Sequence, residues 1–256
     1  MTHPVLDRPE VLRVLFHPRR DRSIIPNGAY PVTVEVEPGI TVGGRLYPAA
    51  PDSPAILYYH GNGEIAADYD DIAQDYTRLG ITLLAIDYRG YGVSNGTPTA
   101  SNVLKDAVTA FKAFDSILGS HGLSPKRLYV MGRSLGSAAA IEVALHAGER
   151  LAGLIIESGF AQTFPLLARL GVEVQGADEE RDGVGNTVKI SQITTRTLII
   201  HAQEDILIPV AQGLLLHRYC AAQDKQLVLI PKAGHNNLMM LGRSQYFNAI
   251  HTFVNS

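Results

Sequence analysis

The sequence holds one cysteine, Cys220, in 256 residues, so no intramolecular disulfide can form and a cysteine-built catalytic or metal cluster is excluded. Charge is also sparse: Asp, Glu, Lys and Arg make up 18% of the chain, below the average of about 25%, as expected when a large sheet is buried. The 22 basic and 25 acidic residues give a net charge of -3, and no like-charge run is long enough to grip a phosphate backbone. Nucleic acid is therefore not an expected partner. No apolar run approaches the roughly 20 residues that cross a bilayer, so no transmembrane segment is expected. Residues 1–21 have neither an apolar core nor a small-residue cleavage site, so no secretory signal is expected, and the lone cysteine fits a cytoplasmic location. Val11 to Phe16 is apolar beside His17, Arg19 and Arg20, but it is too short for a membrane-surface helix and is expected to pack against the sheet.

What is present is an ordinary hydrophobic fraction, 46%, in a chain long enough for one well-buried core; a single domain over residues 1–256 is expected. Short β-branched runs alternate with longer helical patterns, which predicts an α/β fold with a mostly parallel sheet. Val32 to Val36 and Ile40 to Tyr47 read as an opening antiparallel hairpin turned by Pro38 and Gly39. Six further runs end at Tyr59, Asp87, Met131, Glu157, His201 and Ile230, giving eight strands. Helices are expected over 65–79, 101–118, 137–146, 210–221 and 242–253, with Ser101 and Ser137 as N-caps and Gly80, Gly119 and Gly148 as stops. Residues 171–189 break this rhythm with four glycines among charges. Together with the turns before them, from about 160 to 190, they read as a short excursion, either a small lid over the carboxyl ends of the strands or a solvated loop.

The strongest local signal is Gly132-Arg133-Ser134-Leu135-Gly136, set directly between the run ending at Met131 and the helix that follows. A strand, a sharp turn and a helix lift a serine hydroxyl above a sheet, and the flanking glycines remove side chains that would collide there. A hydroxyl is a poor nucleophile at neutral pH and needs a base held in one tautomer by an acid. Asp205 lies just beyond the seventh strand and His235 just beyond the eighth, so Ser134, Asp205 and His235 are the candidate catalytic residues, in the chain order Ser, Asp, His. Glu204 and Glu157 are the rival acids. His201 and His217 fall inside a strand and a helix and are expected to be structural, while His146 and His251 lie on helices with no chemical partners in view.

Attack on an acyl carbon builds negative charge on oxygen, which preorganised amides must meet. The amide of Leu135 follows the nucleophile, and the second donor is expected from His60-Gly61-Asn62-Gly63, at Asn62 with Gly63 as the alternative. That turn lacks the glycine spacing and the lysine of a nucleotide loop. Gly61, Gly63 and Tyr91 are candidate substrate-binding positions; Asp87 and Arg89 are expected to tie loops together, and Glu64 and Arg133 to be solvated beside the site. No metal or organic cofactor is signalled.

Taken in order, HisGlyAsnGly, AspTyrArgGlyTyrGly, GlyArgSerLeuGly, GluSerGlyPhe, the Asp205 loop and AlaGlyHis235 resemble the α/β-hydrolase superfamily over nearly the whole chain. More narrowly, they are similar to its esterase and serine aminopeptidase-like branch, related to the palmitoyl-protein thioesterases. The resemblance implies an eight-stranded sheet with helices on both faces, Ser134, Asp205 and His235 as the triad, and a small-molecule ester or thioester substrate. The interval between Phe160 and Ile193 is too short for the large helical cap of peptidase-like relatives, so a minimal cap is expected. Serine at the nucleophile position argues against epoxide hydrolase and dehalogenase chemistry.

Overall fold

The computed structural model describes residues 2–256. Its elements follow in chain order as α1 (Pro9–Leu15), β1 (Tyr30–Glu37), β2 (Ile40–Tyr47), β3 (Ala55–Tyr59), α2 (Asp70–Arg78), β4 (Thr82–Ile86), α3 (Ala100–Ser120), β5 (Leu128–Arg133), α4 (Gly136–Ala147), β6 (Gly153–Glu157), α5 (Thr163–Arg169), α6 (Glu179–Asp182), α7 (Asn186–Ile190), β7 (Thr197–Ala202), α8 (Val210–Tyr219), β8 (Lys225–Ile230) and α9 (Leu238–Asn255). The strands form one eight-stranded sheet in the order β1-β2-β4-β3-β5-β6-β7-β8. β1, β2 and β4 pair antiparallel in turn, and every other pairing is parallel.

The central strands are apolar on both faces because helices cover both. Leu57, Val130 and Ile156 join the core under α3, α4 and α8, while their neighbours Tyr58, Met131 and Ile155 join the core under α2 and α9. From β3 the chain leaves for β4 on one side and returns to β5 on the other. The strand order therefore reverses between β3 and β5, and a crevice opens at their carboxyl ends.

Local departures from expectation have physical causes. α3 is capped by Thr99, whose hydroxyl accepts from the Asn102 amide at 3.0 Å, whereas the Ser101 hydroxyl bonds Asp7. α4 starts at Gly136, and the Ser137 hydroxyl donates back to the Ser134 carbonyl at 2.6 Å. α3 runs through Gly119 to Ser120, with Gly122 taking the left-handed conformation at φ 73°. The segment at 11–16 is helix α1 and its end, with Val11, Leu15 and Phe16 buried in the core. α9 begins four residues before Gly242, which kinks it at φ -119°. Among the described residues no helix is long and apolar enough to cross a membrane.

Candidate active site

β5 ends in Arg133, paired in register with Glu157 of β6, and the chain then turns at once into α4. Ser134 sits in that turn at φ 52°, a conformation that costs a non-glycine residue and persists only where its surroundings impose it. They do so closely. A Cβ on Gly132 would lie 2.1 Å from the Gly136 carbonyl oxygen, and one on Gly136 would lie 2.1 Å from that of Tyr59, so both flanking glycines are required by clearance.

Two loops from the neighbouring strands reach this serine. After β8, His235 places Nε2 at 3.0 Å from Ser134 Oγ and directs Nδ1 to Asp205 Oδ2 at 2.7 Å. After β7, Asp205 turns its other oxygen to the amides of Leu207 at 3.0 Å and Ile208 at 2.7 Å, which fix the carboxylate. All three side chains are buried. A carboxylate that accepts from Nδ1 keeps the Nε2 lone pair facing the hydroxyl, which is the tautomer a general base needs. The rival acids are elsewhere: Glu204 is exposed, and Glu157 accepts from Arg133 Nε at 3.1 Å and from the Tyr246 hydroxyl at 2.7 Å.

His201, expected to be structural, adds a contact that sequence reasoning missed. Its Nε2 donates to the Ile208 carbonyl at 2.8 Å and lies 3.8 Å from Asp205 Oδ2, so it braces the loop that carries the acid. Burial holds its pKa below the ordinary value, against the opposing pull of that hydrogen bond and of Asp205, which keeps it neutral there.

The turn at 60–63 packs on the other side of the elbow, since the carbonyl oxygens of both Tyr59 and His60 face Gly136. Among the described residues neither the Asn62 nor the Leu135 amide has a protein acceptor. The Asn62 side chain is fully used: Oδ1 accepts from the His17 amide and the Tyr91 hydroxyl, both at 2.9 Å, and Nδ2 donates to the Val14 carbonyl at 3.3 Å. The last turn of α1 and the residues just after it thus strap this turn in place, links between residues 45 and 48 apart that nothing in the local sequence signals.

Two of the three substrate-binding expectations, Tyr91 and Gly61, need correction. Tyr91 is fully buried behind the turn with its hydroxyl committed to Asn62, so it supports the turn and presents no surface to a ligand. Gly61 is buried where a Cβ would lie 2.7 Å from Arg133 Nη1, so it permits a close approach of side chains. Gly63 supplies the left-handed residue, φ 75°. Arg133 is buried and Glu64 partly so, in an ion-paired network, contrary to the expectation of solvation. Asp87 and Arg89 do tie segments together, through the Ala66 amide and through a two-bond pairing with Asp106.

A narrow slot adjoins the elbow, walled by Leu15, Phe16, Leu104, Leu135, Phe160 and Leu166. Phe160 and Leu166 also wall a groove of about 180 Å³ that continues to Leu207, Ile208 and Pro209.

The family model described as serine aminopeptidase, of the hydrolase class, matches residues 50–177. Human alpha/beta hydrolase domain-containing protein 17B is 31% identical over 207 residues, covering 78% of this chain and 65% of the relative. Protein 17C of Xenopus tropicalis is 28% identical over 85% of this chain and 67% of the relative. The chain thus spans about two thirds of the length of these curated relatives. Among solved structures, the Pyrococcus furiosus esterase superposes with a TM-score of 0.75 at 16% identity, over 94% of this chain and 97% of that one. A soluble variant of the Saccharomyces cerevisiae monoglyceride lipase, solved with a substrate analog, gives 0.68 at 17% identity, over 93% and 98%. Matched in sequence over half its length and carrying the eight-stranded sheet of these neighbours, the chain belongs to the α/β-hydrolase superfamily, in the hydrolase family named for serine aminopeptidases.

Proposed function

We propose that this hydrolase cleaves carboxylic ester or thioester bonds through an acyl-enzyme on Ser134. The observation that carries the reading is the relay from Ser134 Oγ to His235 Nε2 at 3.0 Å and from His235 Nδ1 to Asp205 at 2.7 Å. His235 takes the hydroxyl proton as Ser134 attacks the acyl carbon. The oxyanion is met by the Leu135 and Asn62 amides, and His235 then protonates the leaving alcohol or thiol. Water, activated by the same imidazole, releases the acid. Asp205 orients the ring and steadies its positive charge in both halves of the cycle.

The apolar slot beside Leu135 is too narrow to hold an acyl chain by itself, but it shares Phe160 and Leu166 with the groove of about 180 Å³, which suits the hydrocarbon of a short acyl group, and the stretch at 160–190 serves as a short lid there through Phe160, Leu166 and Val184. The esterase and lipase among the structural neighbours support the fold that this chemistry uses. Ser134→Ala is expected to lower turnover of a short nitrophenyl ester by about 10⁴-fold or more while the protein stays folded. A fluorophosphonate probe should label the native chain and spare that variant. Retained hydrolysis by Ser134→Ala would overturn the assignment, and a native chain that takes no label would be a binding module on the same fold. The family model's aminopeptidase description favours a second reading, amide cleavage, which faster turnover of peptide anilides than of esters would establish.

A further inference from the structure

The residue before the nucleophile is an arginine buried at the junction of three loops. Arg133 Nε donates to Glu157 Oε1 at 3.1 Å, Nη2 donates to the His235 carbonyl at 2.9 Å and to Asn236 Oδ1 at 3.1 Å, and Nη1 pairs with Glu64 Oε1. The other Glu64 oxygen accepts from the Gly61 amide and from the Tyr69 hydroxyl, both at 2.7 Å. One guanidinium therefore connects the serine turn, the end of β6, the backbone of His235 and, through Glu64, the turn that carries the Asn62 amide.

We propose that Arg133 is a positioning residue for hydrolysis, holding the His235 loop and the 61–63 turn in register with Ser134. The inference rests on the Ser134 reading above. A planar fork with five N–H donors can address acceptors in several directions at once, whereas a lysine ammonium is a compact point charge and cannot span them. The energetics point the same way. Ion pairs taken out of water add little net stability, so a buried arginine among two glutamates has its main effect in fixing geometry. The His235 side chain extends from the residue whose carbonyl Arg133 holds. Releasing that carbonyl loosens the 3.0 Å contact between Nε2 and Ser134 Oγ without touching the walls of the apolar slot. The loss therefore falls on the chemical step and not on binding.

Arg133 also lines a cleft of about 260 Å³ between the 64–72 segment and the start of α9, which gives a small cation a route to the position the side chain would vacate. The test is steady-state hydrolysis of a nitrophenyl ester by the full chain and its Arg133→Ala and Arg133→Lys variants. Both variants should lose about 10²-fold in kcat, with KM within about threefold of the parent. Added guanidinium chloride should restore part of the Arg133→Ala rate, and sodium chloride at equal ionic strength should not. A kcat within about threefold of the parent, a loss carried by KM, or equal recovery with sodium chloride would each overturn the proposal. Should Arg133→Ala fail to fold, Glu64→Gln decides: it keeps Arg133 but weakens the tie to Gly61, and must lower kcat at constant KM. A native chain that is neither active nor labelled by fluorophosphonate overturns the Ser134 reading and this role with it. An active, labelled parent with unimpaired variants overturns only the role of Arg133.

Discussion

Backbone clearance dominates at the scale of single residues. The glycines at 132 and 136 and the left-handed Ser134 are three parts of one constraint, since the turn fits between Tyr59 and α4 only with side chains absent on both flanks. Gly136→Ala should force the serine turn away from the 60–63 turn, because the new Cβ meets rigid backbone at 2.1 Å. A loss of about 10²-fold in kcat is expected, with a lower thermal midpoint, from ester kinetics and calorimetry on the same preparation. Unchanged kinetics would mean that the turn relaxes without moving Ser134. This constraint was legible in the sequence, because a strand, the Gly-x-Ser-x-Gly pattern and a helix leave few alternatives. The roles of Tyr91, Gly61 and Arg133 were not, because burial of a polar tip depends on which distant acceptors surround it.

Among the elements, the 160–190 stretch shows how short helices are held. α5 has only seven residues, and its first amides, Thr163 and Phe164, donate to the two carboxylate oxygens of Glu179 at 2.7 and 2.8 Å. A carboxylate at a helix N-terminus satisfies orphan donors and complements the dipole, so Glu179→Ala should cost about 1 kcal/mol. The effect should be local. Hydrogen exchange should rise across 160–190 while the sheet stays protected; uniform exchange in both proteins would show that the carboxylate carries no such function. This stretch reads as loop in the sequence because its helices are too short for a periodic pattern and are completed by a residue 16 positions away. The long α3, by contrast, announces itself by an apolar stripe, and only its ends were misplaced, where Thr99 outcompetes Ser101 as the cap.

For the whole molecule, charge pairing joins the edge hairpin to the body. Glu37 at the end of β1 accepts from Arg89 and Lys105, and these hydrogen bonds, more than the charges themselves, lower its pKa from 4.5 to about 2. A depressed carboxylate pKa contributes stability that is complete above pH 4.5 and is lost as pH falls toward 2. Glu37→Gln should therefore unfold at a lower urea midpoint near neutral pH, with the gap from the parent narrowing through that acid window; a gap that persists or widens there would contradict the linkage. The sequence by itself determined the α/β class and the eight strands and singled out Ser134, Asp205 and His235 as candidates, because strand periodicity and turn chemistry are local and each candidate lies just past a strand end. Only the tertiary structure decided that Asn62 is strapped by the end of α1 and the residues after it, that Arg133 is a buried junction and that Tyr91 is support. Those outcomes are set by hydrogen-bond partners 24 to 103 residues apart, and no local pattern of residues encodes which distant acceptor a buried donor will meet.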